Sequence, residues 1–536
     1  MNDGEILSAL RARAGERPSF LLSDLPEGAR RRIGKGDPCR VLEPYLSSLA
    51  LRCGRRGEDI VISRLPPAKP SVPGPDALGE DEEYLRHPSI PGDLQELIEG
   101  YIRKKTGKNW DDPVVLERIR AAIRAQKGEY WAQAGRRPIS YGKGYRVLAY
   151  LAYQFPVSFL QLRHLLHDLA ADGLLKERMR VLDIGSGPGT TSLAVLDAWR
   201  RLSPGEATIF ALERETENLE AYRSLVPALA RGVPRTRIEE PVQGDLRSFD
   251  PEHLPREVDL LVFGNVLNEL RGIPVGERAA LVERISGTLS PSGTLAILEP
   301  ADLENSLALR RLSVELTRRG LTVYAPCTPL WSTVCTPDRC WTFREGLPIT
   351  PPRLMVRRAA SSDGYRYMNT DVKFSYALLR RDRLTRELYR VPRGVKALRL
   401  SALQRHLKHR VNVAVARMSG DLGGGRGDHV FKVCDGTSRK PVFAVVPEHH
   451  AARARALLEG KYGEILLLGN VVVRFNPARD AFNLFVDRLT KVEAPKPGKT
   501  VPQARPKPAR SKGRRREGGP AATDERRGGR AHRRKG

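Results

Sequence analysis

The sequence predicts an α/β protein with an open, doubly wound and mostly parallel sheet, a helical region before it and a β-rich module after it. Short apolar segments that are typical of buried strands follow Arg180: RVLDIG, TIFALE, VDLLVFGN and TLAILEP. Amphipathic segments separate them, and this alternation is typical of parallel sheets covered by helices. Upstream, apolar residues recur at three- and four-residue steps, which predicts helices. Downstream, strand-like segments alternate with glycines and prolines.

We divide the chain into seven segments. They are a small N-terminal segment (1–64), a Pro-rich linker (65–82), a helical region (83–178), the sheet domain (179–323), a Cys-rich loop (324–346), a β-rich C-terminal module (347–492) and a basic tail (493–536). The C-terminal strands, among which we count RLMVRR and VKFSYALLRR, suit a small barrel of the oligonucleotide-binding type. Pro156 is expected to break the last helix before the sheet. The tail has almost no large apolar residues, so we expect it to be disordered.

The charge of the chain indicates a polyanionic partner. The 536 residues carry 91 Lys and Arg against 63 Asp and Glu, a formal net charge of +28. Residues 494–536 hold 15 of the basic and 3 of the acidic residues, so the rest of the chain is strongly basic as well. Such an excess favours contact with nucleic acid, whereas a basic tail alone also serves solubility. No segment reaches the roughly 20 apolar residues of a transmembrane helix, and no secretory signal opens the chain. We therefore expect a cytoplasmic protein without membrane contact.

A glycine-rich loop lies between the first predicted strand of the sheet and the helix that follows it. The segment RVLDIGSGPGTT places Gly185, Gly187 and Gly189 at alternate positions, with Ser186 between the first two. Glycines at such a turn let the backbone approach a ligand without a clash from a Cβ atom. The spacing differs from the G-x-G-x-x-G of dinucleotide-binding proteins, because Thr190 stands at the third glycine position.

Polar side chains stand at or after the ends of the predicted strands. Asp183 ends the first strand, where it can orient the loop or accept a hydrogen bond from an amino group. Glu213 ends the second strand, where a carboxylate binds two ribose hydroxyls. Asp245 is expected near an adenine amino group, and Asn265 near the crevice at the fourth strand. Together with the loop, this set resembles the cofactor motifs of class I S-adenosylmethionine-dependent methyltransferases.

The sequence does not identify a catalytic group, and whether the protein is an enzyme stays open. The fourth strand ends in Asn-Val-Leu-Asn, not in the Asn/Asp-Pro-Pro-aromatic motif of adenine amino methyltransferases. The nucleophilic cysteine of cytosine C5 enzymes has no counterpart, because no cysteine lies between Cys53 and Cys327. Asn268 and Glu269 are within reach of the crevice, but they are equally suited to the first turn of a helix.

Half of the six cysteines lie in one proline-broken loop: Cys327, Cys335 and Cys340. Clustered thiols in a reducing compartment favour a metal, and a fourth ligand from elsewhere completes a tetrahedral set. Cys434 is the strongest candidate because it ends a predicted strand just before a turn. The wide first gap suits an iron–sulfur cluster at least as well as zinc. We interpret Cys39 and Cys53 as ordinary thiols.

The order of these motifs, from Tyr145 to Phe485, resembles one family: the methyltransferase-like assembly factors of the mitochondrial small ribosomal subunit and their bacterial relatives. The shared pattern is a glycine loop, APC…C…C-W-x-F, a KFSYALLRR strand and a late cysteine. The usual family loop runs Cys-Pro-His with a short first gap and a longer second one. Here the gap lengths are reversed and no histidine follows Cys327.

The resemblance implies a Rossmann-like class I methyltransferase domain that binds S-adenosylmethionine. It also implies a [4Fe-4S] cluster on Cys327, Cys335, Cys340 and Cys434, and binding to small-subunit ribosomal RNA during assembly, with methyl transfer undecided. Two alternatives stand beside this hypothesis. One is an active ribosomal RNA methyltransferase with a structural metal centre, and the other is a zinc-containing methyltransferase that acts on a substrate other than RNA.

Overall fold

The N-terminal residues form a small module with its own core. The computed structural model describes residues 3–33, 36–131, 144–202, 205–270, 272–327, 330–331, 335–359, 367–423 and 427–495. The module consists of α1 (Asp3–Glu16), β1 (Ser19–Leu21), α2 (Glu27–Ile33), α3 (Pro38–Leu49), β2 (Leu51–Arg56) and β3 (Asp59–Arg64). Its strands form an antiparallel sheet in the order β1-β3-β2. Leu10, Leu42 and Ile62 are fully buried between this sheet and the helices.

Cys39 and Cys53 form a disulfide in this module, so their interpretation as ordinary thiols is wrong. Cys39 lies in the first turn of α3 and Cys53 on β2, which follows α3 directly. The two Cα atoms are 5.4 Å apart, within the range that a disulfide spans. The sequence did not show this because 14 residues separate the pair, and only the return of β2 along α3 brings them together.

Five helices precede the main sheet. They are α4 (Pro75–Arg86), α5 (Gly92–Thr106), α6 (Pro113–Trp131), α7 (Tyr145–Tyr153) and α8 (Phe155–Ala171). The break between α7 and α8 at Gln154, with Pro156 in the first turn of α8, confirms the predicted break. The predicted linker 65–82 is wrong in its second half, which belongs to α4. Pro75 is compatible with the first turn of a helix, and α4 buries Leu85 against α8.

The central sheet has nine strands with helices between them. Its elements are β4 (Arg178–Ile184), α9 (Thr190–Leu202), β5 (Glu206–Glu213), α10 (Thr216–Ala230), β6 (Thr236–Ile238), β7 (Val242–Gln243), β8 (Val258–Gly264), α11 (Val275–Ser286), β9 (Leu289–Pro300), α12 (Leu303–Arg318), β10 (Thr322–Ala325), β11 (Arg344–Glu345), α13 (Arg353–Ala359) and β12 (Lys373–Arg380). The main order is β10-β12-β9-β8-β4-β5-β6. Strands β9, β8, β4, β5 and β6 are parallel, which confirms the predicted doubly wound sheet.

Strand β12 corrects the predicted C-terminal module, which we began at residue 347. It inserts antiparallel between β9 and β10 and therefore belongs to the central sheet. Seven of its eight residues are buried, as expected for a strand covered on both faces. The segment RLMVRR, which we counted as a strand, is part of helix α13, because Leu354, Met355 and Arg358 share the buried face of a helix.

The C-terminal strands form a closed five-stranded barrel, which confirms the predicted barrel. The elements are β13 (Arg410–Arg417), β14 (Asp428–Cys434), β15 (Val442–Pro447), α14 (Arg455–Glu459), β16 (Ile465–Asn476), β17 (Ala481–Phe485) and β18 (Lys491–Glu493). Pairing follows β13-β14-β15-β17-β16 and returns to β13, with β15 and β17 parallel. This order is that of the oligonucleotide-binding type. Glu493, the first residue of the predicted tail, ends β18, and the predicted tail beyond Pro495 lies outside the described residues.

None of the described helices has the length and apolar character needed to cross a membrane.

A buried ion-pair network joins the helical region to the sheet domain. Arg163 on α8 donates through Nε to Asp197 Oδ2 on α9 at 2.8 Å, and through Nη2 to Asp81 on α4. All three side chains have no exposed surface. His167 Nδ1 lies 2.9 Å from the second Asp81 oxygen. The network therefore places two carboxylates and one guanidinium in a low-dielectric interior, where each depends on the others.

We expect Arg163→Met to lower the free energy of unfolding by about 3 kcal/mol, because it removes the one fully buried cation shared by Asp81 and Asp197. Asp197 keeps the partly exposed Arg200 and Arg201, which limits the loss. Arg31→Met is the matched control, since the Arg31 side chain is 77% exposed beside Glu27 and contributes less than about 1 kcal/mol. Urea denaturation of both variants measures the difference. Equal losses in the two variants would show that the buried network does not stabilise the fold.

Candidate functional site

A cavity of about 410 Å³ lies at the carboxyl ends of the central parallel strands. The glycine loop after β4 and the residues that end or follow β5, β8 and β9 line one side of it, and α7 and α8 line the other. Of the eight residues predicted to bind a cofactor, six line it: Gly185, Ser186, Gly187, Glu213, Asp245 and Asn265. Asp183 and Gly189 support the loop from beneath.

The three glycines of the loop differ in what surrounds the position of a Cβ atom. All have positive φ, +63° at Gly185, +55° at Gly187 and +97° at Gly189, a region that side chains disfavour. A Cβ atom on Gly185 would lie 2.6 Å from Val266 Cγ2, and one on Gly189 would lie 2.4 Å from Val226 Cγ2. A Cβ atom on Gly187 would meet nothing within 4 Å. Gly187 therefore presents bare backbone to the cavity.

Glu213 holds the glycine loop and also lines the cavity. Its Oε2 accepts a hydrogen bond from the Gly187 amide at 2.9 Å, and its Oε1 accepts from the Glu215 amide at 2.8 Å. Asn218 Nδ2 donates to the same Oε1 at 3.2 Å. The carboxylate is thus oriented by backbone amides at the end of β5, the position where we predicted a ligand for ribose hydroxyls.

Asp183 is buried beneath the loop and does not line the cavity. Ser192 on α9 donates to its Oδ2 at 2.9 Å, while Oδ1 has no hydrogen-bond partner among the described residues. Burial raises the pKa of Asp183 to about 7. The side chain therefore fixes the start of α9 against β4, which is closer to the predicted orienting role than to direct contact with a ligand.

Asp245 and Asn265 complete the predicted set. Arg247 binds Asp245 through Nε and Nη2, and this hydrogen bonding lowers the pKa of the carboxyl to about 2. Asp245 is thus a charged acceptor at the rim. Asn265 has φ +58°, and its backbone N–H donates to Leu298 O at 2.9 Å. Ser186 Oγ is buried without a partner among the described residues, which leaves it available to a ligand.

Residues of α7, α8 and β9 at the cavity were not predicted from the sequence. Tyr150 and Tyr153 line it from α7, and Thr190 Oγ1 donates to Tyr150 Oη at 3.3 Å. Phe159 on α8 is fully buried in the core instead. Gln161 lines the cavity from α8. Their positions depend on the packing of α7 and α8 over the sheet, which the helical pattern alone does not reveal.

Glu299 lies near the end of β9, between Leu298 and Pro300, which line the cavity. It is 3% exposed, and its Oε1 accepts a hydrogen bond from the Leu267 amide at 3.0 Å. Its Oε2 has no partner among the described residues. Burial raises the pKa of Glu299 from 4.5 to about 8. The side chain therefore supports the loop after β8 while protonated.

Glu299→Gln should change how the free energy of unfolding depends on pH. In the wild type, the unfolded chain releases the proton at about 4.5 and the folded chain at about 8, so stability falls as pH rises between these values. Glutamine keeps the acceptor for Leu267 and cannot lose a proton, so the variant should gain stability relative to the wild type across this window. Urea denaturation at several pH values measures it. The control is Glu252→Gln, at a side chain that is 69% exposed, and its stability curve against pH should run parallel to that of the wild type. A Glu299→Gln curve that also runs parallel to the wild type would contradict the raised pKa of Glu299.

The four cysteines predicted to bind a metal interact electrostatically, pair by pair. Cys327, Cys335 and Cys340 come from the loop after β10, and Cys434 ends β14 of the barrel. Cys335 interacts electrostatically with Cys327 and Cys340, and Cys434 interacts with Cys335 and Cys340. Burial raises the pKa of Cys335 to about 12. Burial also raises the pKa of Cys327 and the pKa of Cys434. The Gly436 amide donates to Cys434 Sγ at 3.3 Å.

Arg310 on α12 places a buried positive charge beside these thiols. It is 3% exposed, donates through Nε to Thr342 Oγ1 at 3.2 Å and through Nη1 to Tyr376 O at 2.7 Å. Its Nη2 has no hydrogen-bond partner in the described part of the chain. Burial disfavours the charge, but Cys327, Tyr462 and Cys340 outweigh it and raise the pKa of Arg310. The guanidinium therefore interacts electrostatically with Cys327 and Cys340.

Hydrogen bonds attach the cysteine loop to both neighbouring domains. Trp331 Nε1 donates to Asp435 Oδ2 at 2.8 Å, and Lys432 Nζ donates to Trp341 O at 2.7 Å, so that both bonds join loop and barrel. On the other side, Trp341 Nε1 donates to Ala301 O, just after β9, at 2.7 Å. Even so, no three His, Cys, Asp or Glu side chains among the described residues are arranged to hold a metal ion, so the predicted metal loop is not confirmed.

A family model described as "Mitochondrial small ribosomal subunit Rsm22" matches residues 144–415, which is just over half of the chain. The chain belongs to this family. The match begins at α7 and includes the glycine loop, the cysteine loop and all strands of the central sheet. A second model, described as a "Domain of unknown function (DUF8157) C-terminal domain", matches residues 401–495, the barrel. The protein is thus a class I methyltransferase-like member of the Rsm22 family.

Individual relatives are more distant. Trans-aconitate 2-methyltransferase of Methylobacterium nodulans is 31% identical over 137 residues, which are 26% of this chain and 44% of that enzyme. The chain therefore spans less than half of this curated relative. Among solved structures, magnesium protoporphyrin IX methyltransferase (ChlM) of Synechocystis PCC 6803 is 10% identical with a TM-score of 0.27, and the match covers 50% of this chain and 98% of that one. TrmN of Thermus thermophilus is 20% identical with a TM-score of 0.24, over 43% and 53% of the two chains.

Proposed function

We propose that this protein is a small ribosomal subunit assembly factor that binds S-adenosylmethionine and a [4Fe-4S] cluster and docks on ribosomal RNA. The observation that carries the proposal is the cavity at the carboxyl ends of the parallel strands, in a chain of the Rsm22 family. The family description supports association with the small ribosomal subunit. Methyl transfer is compatible with this cavity, but no residue stands out as its catalytic group.

The cavity suits S-adenosylmethionine in three respects. Gly187 offers open backbone to the cavity, and Ser186 Oγ is a buried hydroxyl without a partner among the described residues. Glu213 presents an oriented carboxylate at the end of β5, where ribose hydroxyls bind in sheets of this type. Asp245 presents a charged acceptor at the rim. These residues would hold the cofactor, which supplies an electrophilic methyl group when bound.

The proposed metal centre rests on the chemistry of the cysteines, since no metal-holding group is formed among the described residues. Cys335 and Cys434, from two separate segments, each interact electrostatically with Cys340, and thiolates are the ligands of iron–sulfur clusters. A cluster with four thiolates carries negative charge, which would compensate the buried Arg310 guanidinium. Lys432, also close to Cys340 and Cys434, adds a second cation. Cys327, Cys335, Cys340 and Cys434 would hold the cluster between the sheet domain and the barrel, where its role is structural.

The barrel and the charge of the chain support docking on RNA. The strand order of the barrel is that of modules that bind oligonucleotides. A net charge of +28 favours a polyanion, and such binding should weaken as salt rises. The first alternative, an active ribosomal RNA methyltransferase, is tested by incubating the protein with labelled S-adenosylmethionine and immature small subunits. The second alternative, a zinc protein, would give a colourless sample with one zinc per chain.

Gly187→Arg should abolish binding of S-adenosylhomocysteine, because the side chain at this position enters the open cavity. Gly107→Arg is the matched control: Gly107 also has positive φ, +71°, and no atom near its Cβ position, but it ends α5 away from the cavity. Isothermal titration calorimetry measures both. The expected result is unchanged affinity in Gly107→Arg and a loss of at least about 100-fold in Gly187→Arg, roughly 3 kcal/mol. Equal affinities would contradict the proposed cofactor site.

Cys434→Ser should remove the cluster and most association with the small subunit, since it deletes the barrel ligand. The double variant Cys39→Ser/Cys53→Ser is the control, because it removes two cysteines outside the site. After anaerobic purification, iron and sulfide content, the visible spectrum and co-sedimentation with small subunits are measured. A Cys434→Ser protein that keeps both iron and subunit association would refute the role of this ligand.

A further inference from the structure

Gln161 on α8 carries an unpaired acceptor at the cavity. The side chain is 6% exposed, and its Nε2 donates to Lys373 O at 3.0 Å. A backbone carbonyl only accepts hydrogen bonds, so this contact determines which end of the amide is nitrogen. The other end, Oε1, is buried without a hydrogen-bond partner among the described residues. A buried amide oxygen left unpaired is costly, which indicates that a ligand donates to it.

Gln161 lies at the opposite end of the cavity from the predicted ribose site. Its partner Lys373 begins β12, whereas Glu213 ends β5, and β9, β8 and β4 lie between these two strands. Neighbouring strands are about 4.8 Å apart, so the two ends are separated by roughly 19 Å. A cofactor with its ribose at β5 therefore leaves the end at β12 for a second ligand.

The β12 end of the cavity is rich in hydrogen-bond acceptors. Asn369 Nδ2 donates to Tyr153 O at 3.0 Å, which orients the Asn369 amide oxygen as a further acceptor, and Asp371 adds a carboxylate. Such a set selects a ligand with hydrogen-bond donors, above all an amino group. Lys373, paired with Glu345 at 3.3 Å, adds a cation that suits a phosphate-bearing ligand.

The barrel approaches the same end of the cavity. A Cβ atom on Gly420, in the loop between β13 and β14, would lie 2.4 Å from Oε2 of Glu345, the residue paired with Lys373. A nucleic acid bound at the loop between β13 and β14 would therefore be adjacent to the β12 end. This contiguity favours a nucleobase over the amino group of a peptide or a small metabolite.

We propose that the β12 end of the cavity is an acceptor subsite for an unpaired, amino-bearing nucleobase in RNA. Gln161 Oε1 accepts a hydrogen bond from the exocyclic amino group of the base, and Asn369 and Asp371 provide further acceptors. Gln161 is a specificity-determining residue here, since it selects bases with an amino group. The inference rests on the proposed function, because the base lies beside bound S-adenosylmethionine.

The test uses conjugates in which adenosine is joined through its 5′ position to a nucleobase, with S-adenosylhomocysteine as the reference ligand. In the wild type, a conjugate with an amino-bearing base should bind roughly 10- to 100-fold more tightly than the same conjugate with a dimethylated amino group, because the latter leaves Gln161 Oε1 unpaired. This comparison needs no variant and therefore does not depend on the folding of one.

Gln161→Met should remove this discrimination and keep the affinity for S-adenosylhomocysteine. Gln95→Met is the matched control, since Gln95 Nε2 likewise donates to a backbone carbonyl, that of Ile90 at 2.8 Å, on α5 outside the cavity. If the wild type binds the reference ligand but binds the amino-bearing conjugate no more tightly than the dimethylated one, the subsite alone is overturned. The subsite is also overturned if a conjugate with a simple aminoalkyl group binds as tightly as the base. No binding of the reference ligand would overturn the proposed function and the subsite together.

Discussion

The buried guanidinium of Arg310 is the constraint on which the arrangement of the two C-terminal domains depends. It lies on α12 of the sheet domain and interacts electrostatically with Cys327 and Cys340 from the loop after β10. Thr342 and Tyr376 satisfy part of its hydrogen bonding, and no carboxylate bonds to it in the described part of the chain. A buried charge without a counter-charge is strongly unfavourable. An anionic centre on the four cysteines would supply that counter-charge and bind the barrel to the sheet at the same point.

Strand order explains why this point is close to the cofactor cavity. Because β12 inserts between β9 and β10, the cysteine loop that follows β10 passes beside the carboxyl end of β9. Trp341, next to Cys340, donates to Ala301 O at the cavity, and its own carbonyl accepts from Lys432 on the barrel. The cavity, the cysteines and the barrel thus share one edge of the sheet.

The sequence was sufficient for the features that have a local signal. Alternating strands and helices predicted the doubly wound sheet, and the spacing of Gly185, Gly187 and Gly189 predicted the loop that lines the cavity. Features that depend on tertiary packing were not predicted. The buried run in β12 is equally typical of a barrel and of a central sheet, and only its pairing with β9 and β10 decides between them.

The same limit applies to the site. Gln161 and Glu299 have no sequence motif, and each stands out only because one of its oxygens is buried without a partner among the described residues. Cys39 and Cys53 were interpreted as ordinary thiols because a reducing compartment was assumed, whereas the N-terminal module contains a disulfide between them. Arg310 belongs to an ordinary amphipathic helix, and its importance comes from the thiols that other segments bring to it.

An anionic centre beside Arg310 is tested most directly by Mössbauer spectroscopy of the full chain, enriched in ⁵⁷Fe and purified without oxygen. We expect the signature of one four-iron cluster per chain, retained through gel filtration of a folded protein. A folded chain that contains no iron, with the four thiols free to react with an alkylating reagent, would contradict this.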